Sequence, residues 1–159
     1  MTMNKILASA LFCLTTLHLY ADVSTSKVGD YKVLLDTRGQ FGNGNWKQQL
    51  TVEKDGRALY TMNAPHALSR IILIPGACLE ADGYTWVGIA LIQDGLDGSI
   101  VQSIGLNDGQ TYVSTAELTR VEPDFDEKVS GKEFASGLPE TLAKKRLDQA
   151  VKAYMTMDK

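Results

Sequence analysis

Between residues 70 and 113 apolar, β-branched runs alternate with turn pairs: RIILIPGACLE, ADG, YTWVGIALIQ, DGLDG, SIVQSIGLN, DG, QTYV. Runs of this kind cut by Asp-Gly read as strands joined by tight turns. Two of them, 70–74 and 84–93, are apolar on both faces: Tyr84, Trp86, Ala90 and Ile92 alternate with Val87, Ile89 and Leu91. A strand covered on both sides belongs at the centre of a layered core. Pro75-Gly76 breaks the first run, which predicts a bulge or an edge before Cys78 and Leu79 resume.

Upstream the pattern is half-polar. Residues 31–35 form a first strand, Tyr-Lys-Val-Leu-Leu, and 46–53 alternate, with Trp46, Leu50 and Val52 on one side and Lys47, Gln49, Thr51 and Glu53 on the other. Lys54-Asp55-Gly56-Arg57 then turns the chain, and 58–62 return antiparallel with Tyr60 and Met62 on one face. Residues 99–106 and 110–118 add two more strands. Connections this short bring sequential strands side by side. The fold class expected is mainly β: an antiparallel meander of about seven strands, forming a barrel or a sandwich.

The period changes at the C-terminus. Leu142, Ala143, Leu147, Ala150, Val151 and Tyr154 recur at helical spacing, with Lys144, Lys145, Asp148 and Lys152 opposite. Pro139 suits a first helical turn and Glu140 its positive end. An amphipathic helix from Pro139 to Met155, within segment 137–157, is expected to pack on the sheet. Between sheet and helix, 122–136 carry Glu122, Asp124, Asp126, Glu127 and Glu133 among Pro123 and Gly131. They read as an acidic linker lying over the domain that 30–121 form.

Residues 1–21 have Lys5 as their only charge, an apolar run from Ile6 to Leu17, and Ala21 before the polar Asp22-Val23-Ser24-Thr25-Ser26. That is the layout of a secretory signal peptide, with cleavage expected between Ala21 and Asp22. The apolar run is short of the roughly 20 residues that span a bilayer. The small polar residues 22–29 read as a flexible lead-in. Cleavage leaves 138 of the 159 residues, the size of one domain, with fifteen basic side chains against nineteen acidic ones. That balance disfavours nucleic acid as partner. Only Cys78 remains as a cysteine, so no internal disulfide can form, and no Asn-x-Ser/Thr acceptor is present. A periplasmic or secreted location follows as the expectation.

Catalytic and metal signatures are weak. After cleavage His66 is the sole histidine, too few for a multi-histidine zinc site. The 94–99 run D-G-L-D-G-S lacks the alternating acids of a calcium loop. The glycines at 39, 42 and 44 precede neither Lys-Ser/Thr nor a helix, so the stretch reads as a hairpin loop and not a phosphate cradle. His66 with Ser69 or Cys78 would make a nucleophile pair only if the fold joined them. Carboxylate pairs drawn from Glu80, Asp82, Asp94, Asp97 and Asp108 fall at turns, where Asp is expected anyway. Lys144, Lys145 and Arg146 read as a solvated run.

No metal, no cofactor and no catalytic residue is therefore expected. The connections around 37–45, 63–69 and 94–98 are where recognition would reside, with Phe41, Asn43, Asn45, His66, Asp94 and Asp97 as candidate binding residues. The function expected is that of an exported, non-enzymatic protein that binds another protein, an inhibitor or immunity type acting on a secreted or periplasmic enzyme. Two alternatives stand beside it: a carrier of a small apolar ligand in a barrel cavity lined by Tyr60, Trp86 and Ile104, and a hydrolase using His66. A sheet edge also offers a pairing site for a second copy.

Overall fold

The computed structural model describes residues 20–39, 47–64, 68, 70–92, 98–124 and 126–157. Along them run β1 (Tyr20–Val28), β2 (Tyr31–Gly39), β3 (Lys47–Lys54), β4 (Arg57–Asn63), β5 (Arg70–Leu73), β6 (Leu79–Ala81), β7 (Tyr84–Ile92), β8 (Gly98–Asn107), β9 (Gln110–Val121), β10 (Asp126–Glu133) and the helix α1 (Glu140–Met155). Three Asp-Gly pairs set the hairpins β3–β4, β6–β7 and β8–β9. Both residues of each have positive φ: 52° and 76° at Asp55-Gly56, 55° and 80° at Asp82-Gly83, 48° and 75° at Asp108-Gly109. That is the two-residue turn whose twist matches paired strands.

The strands form two antiparallel sheets. The first has the order β1-β2-β3-β4, and the second β10-β9-β8-β7-β5, with β6 also paired to β7. Alternation then builds three layers. On the first sheet Tyr31, Val33, Leu35, Leu50 and Val52 face Ile71, Leu73, Val87, Ile89, Leu91 and Ile104 of the second. The opposite face of the second sheet presents Ile74, Ala90, Val101, Ala116 and Leu118 to Leu147, Ala150, Val151 and Tyr154 of α1. The second sheet is thus covered on both sides, as the double-sided apolar pattern of β7 requires. The expected helix is present and docks by its apolar stripe.

The sheets pack as a sandwich and do not close into a barrel. Their nearest approach is at one side, where β5 lies against β1 and β2 and the Leu73 backbone N–H donates to Ser26 Oγ at 3.0 Å. The outer edges of β4 and β10 pair with no described strand.

Three strands lie outside the expected seven. Residues 22–28, expected as a flexible lead-in, belong to β1, because 29–30 turn them back onto β2 and every residue of β1 is paired there. β6 resumes the run broken at Pro75-Gly76. The Ile74 N–H donates to the Gly88 carbonyl and the Gly88 N–H to the Ala77 carbonyl, so β5 and β6 are one strand interrupted opposite Gly88. The segment 122–136, expected as a linker, contains β10, which pairs with β9 through a bulge between Val129 and Gly131. Charge on both faces hid it: an edge strand tolerates Asp126, Lys128, Lys132 and Glu133 because solvent lies beside it.

Candidate functional site

Antiparallel pairing fixes where the connections leave the scaffold. Arg38 pairs with Lys47, Arg70 with Ile92 and Gly98 with Thr119. The Ala64 N–H donates to the Gln48 carbonyl. Gln48 then fastens the crossing between the two sheets at this end: its side chain, 7 % exposed, donates Nε2 to the carbonyl of Leu68, in the β4–β5 connection, at 2.7 Å and accepts the Leu68 N–H on Oε1 at 2.6 Å. A side-chain amide thereby pairs with the backbone as a neighbouring strand would, in a place where unpaired groups would cost about 1–3 kcal/mol. Its Nε2 also donates to Thr37 Oγ1 at 3.1 Å. The connecting segments 40–46, 64–69 and 93–97 consequently start and finish at the same end of the sandwich. The candidate residues Phe41, Asn43, Asn45, His66, Asp94 and Asp97, and Ser69 with them, lie outside the described residues; their anchors are what the structure brings together.

At the opposite end the polar side chains are occupied with one another. Glu80 receives Lys54 Nζ at 2.6 Å, Tyr31 Oη–H at 3.1 Å and Thr85 Oγ1–H at 2.9 Å, joining β6 and β7 to the first sheet. The Lys54 ammonium holds the Glu80 carboxyl below its ordinary range. Burial, seconded by Glu80, pushes Tyr31 from 10.0 up to about 12. Asp82 accepts Arg146 Nη2 at 2.5 Å, which holds that carboxyl down as well. Arg146 is 7 % exposed, lies 5.6 Å over the Trp86 ring and donates to Gln149, whose own amide reaches the Gly76 carbonyl. The run Lys144-Lys145-Arg146 therefore splits, two exposed and one buried, and forms no basic patch.

Four groups with catalytic potential, Cys78, Glu80, Asp82 and Ser99, are committed to structure. The half-buried Cys78 thiol donates to the Ile74 and Gly88 carbonyls at 3.7 and 3.9 Å, and burial pushes its pKa up, away from the reactive thiolate. Glu80 and Asp82 face cations and do not face each other. Buried Ser99 donates to Glu127 Oε1 at 2.6 Å and shares a 2.8 Å hydrogen bond with Tyr154 Oη, pinning β8, β10 and α1 together. Among the described residues no group of three or more His, Cys, Asp or Glu is placed to hold a metal ion, and no helix is long and apolar enough to cross a membrane.

The three residues expected to line one cavity are separated. Ile104 and Tyr60 belong to the core between the sheets, whereas Trp86 points to the other face of the second sheet, against Gly105 and beneath Arg146. Sequence reading passed over Gln48 and Ser99 and placed Arg146 in a solvated run, whereas it is buried. One signal for them exists, since each is a polar residue at an apolar position of its period: Gln48 between Trp46 and Leu50, Ser99 two before Val101, Arg146 three after Ala143. No protein-family model, curated protein or solved structure matches the chain.

Proposed function

We propose that the chain is an exported, non-enzymatic binding protein that engages a secreted or periplasmic enzyme, as an inhibitor or immunity-type partner, through the connections at one end of the sandwich. One observation carries this reading: 40–46, 64–69 and 93–97 are anchored side by side at the end fastened by Gln48, while the described Cys78, Glu80, Asp82 and Ser99 are held in structural contacts. A rigid sheet with recognition on adjacent connections is a common division of labour. The outer edge of β4, which pairs with no described strand and has Arg57 as its only charge, is where a second copy would pair.

The test is affinity capture on residues 22–159 from extracts of the periplasm and medium, with an assay of each captured enzyme. A stoichiometric enzyme whose activity falls on binding supports the reading. Alanine at Asn43, His66 or Asp94 should then weaken binding about tenfold where the residue is a hot spot, with unfolding unchanged. Hydrolytic activity in the purified chain, lost in His66→Ala, would replace this reading with the hydrolase one.

A further inference from the structure

Three hairpins close through the same dipeptide. Lys54 pairs with Arg57 across Asp55-Gly56, Ala81 with Tyr84 across Asp82-Gly83, and Asn107 with Gln110 across Asp108-Gly109. The two turn residues stand outside the ladder each time, so no strand pairing engages the glycine N–H. The backbones match, with φ of 48° to 55° at the aspartates and 75° to 80° at the glycines, and all six residues are exposed. The turns differ in what each carboxylate touches. Asp82 Oδ2 accepts Arg146 Nη2 at 2.5 Å, and that guanidinium is buried over Trp86 with its Nε–H unpartnered. Among the described residues the carboxylates of Asp55 and Asp108 accept no hydrogen bond. Asp55 is tied by its backbone, its N–H donating to the Asp30 carbonyl at 3.1 Å. Asp108 has only its own hairpin.

An aspartate before glycine is open to attack on its own side chain, because no side chain shields the next nitrogen. The glycine N loses its proton and bonds to Asp Cγ, a carboxyl oxygen leaves as water, and a succinimide ring forms. Water then opens the ring. Opening at the original backbone carbonyl frees an α-carboxylate and leaves the chain running through Cβ and Cγ. One water is lost and one regained, with no oxidant or reductant.

We infer that Asp108, and after it Asp55, are sites of spontaneous isomerisation in the folded chain, and that Arg146 spares Asp82. To reach Gly83 N, the Asp82 carboxyl must leave a buried guanidinium that already has one N–H unpaired, stranding a second. The Arg146 hydrogen bond also holds that carboxyl below its ordinary range, in the carboxylate form that gives up oxygen poorly. Asp108 forfeits no such contact. Its product carries one more methylene in the backbone, which the two-residue turn between Asn107 and Gln110 has no room for. All three turns lie at the end of the sandwich away from 40–46, 64–69 and 93–97, so this change is independent of the proposed binding end.

The experiment holds the full chain in mildly acidic buffer at body temperature, one sample folded and one in guanidinium chloride. Peptides covering each turn are then separated by chromatography and mass spectrometry. An isoaspartyl product keeps its mass, elutes apart and resists an endoproteinase that cuts before aspartate. Dividing each folded rate by the rate in guanidinium removes the effect of flanking residues. On that scale Asp82 should change at least about tenfold more slowly than Asp108, the factor one hydrogen bond to a charged group supplies, with Asp55 between them. Arg146→Met, which keeps an unbranched stem over Trp86 and no donor, should bring Asp82 up to the others, with its unfolding transition confirming the fold. If that variant fails to fold, the wild-type ratios decide alone. Equal ratios at the three turns, or no isoaspartate at Asp108 in the folded chain, would overturn the inference.

Discussion

The two faces of the second sheet are packed on opposite principles. Toward the first sheet it presents Val87, Ile89, Leu91 and Ile104, large side chains that fill the space between layers. Toward α1 it presents Gly88, Ala90, Gly105 and Ala116, which let other groups come close. A Cβ added at Gly88 would lie 2.4 Å from Ala77 Cβ and 3.5 Å from Ala150 Cβ, and one at Gly105 would lie 2.7 Å from the Trp86 ring. Volume holds the first face. Close approach holds the second, reinforced by polar fasteners: Ser99 with Tyr154, Arg146 with Asp82, Gln149 with the Gly76 carbonyl. One sheet can serve both because its strands alternate, so each neighbour meets its own set of residues.

Opposite substitutions should therefore break the two faces. The largest effect is expected from truncation between the sheets: Leu50→Ala, at a residue 1 % exposed, should cost about 2–5 kcal/mol in urea unfolding. Enlargement should do the damage on the helix side, where Gly88→Ala overpacks against Ala77 and should cost about 1–3 kcal/mol. Equal tolerance of enlargement on both faces would remove the distinction.

The smallest effects separate the faces by pH. Tyr31 has a raised pKa in the fold, so the stability it contributes is whole below 10.0 and is lost as pH climbs toward about 12. Asp82 has a lowered one, so its contribution is present above the unfolded value and is lost as pH falls through the folded value. Tyr31→Phe should flatten the alkaline limb of a stability–pH curve, and Asp82→Asn should shallow the acid limb, to which Glu80 also contributes.

Much of the scaffold is legible in the sequence because its signals are local. Asp-Gly at 55–56, 82–83 and 108–109 specifies turns from two residues each, and the stripe from Leu142 to Tyr154 specifies a helix from its own period. The missing strands β1 and β10 draw their identity from a partner. Ser24, Ser26 and Lys128 carry no apolar alternation, and only pairing with β2 or β9 makes them strand. The fasteners are harder still to read: Ser99 meets a tyrosine 55 residues away and Arg146 an aspartate 64 residues away. Nothing local in Lys144-Lys145-Arg146 names the partner of its third member. The candidate binding end is legible as turn-rich sequence, whereas its fastening by Gln48 depends on Leu68 arriving from beyond β4.

The order of the layers has a thermodynamic consequence. The helix packs on β7, β8 and β9, and the first sheet packs on the opposite face of the same layer. A disturbance on one outside layer reaches the other only by deforming the sheet between them. Lesions in α1 and in the first sheet should then combine as a simple sum, so the helix can drift through sequence change without retuning the layer from which two of the three connections depart.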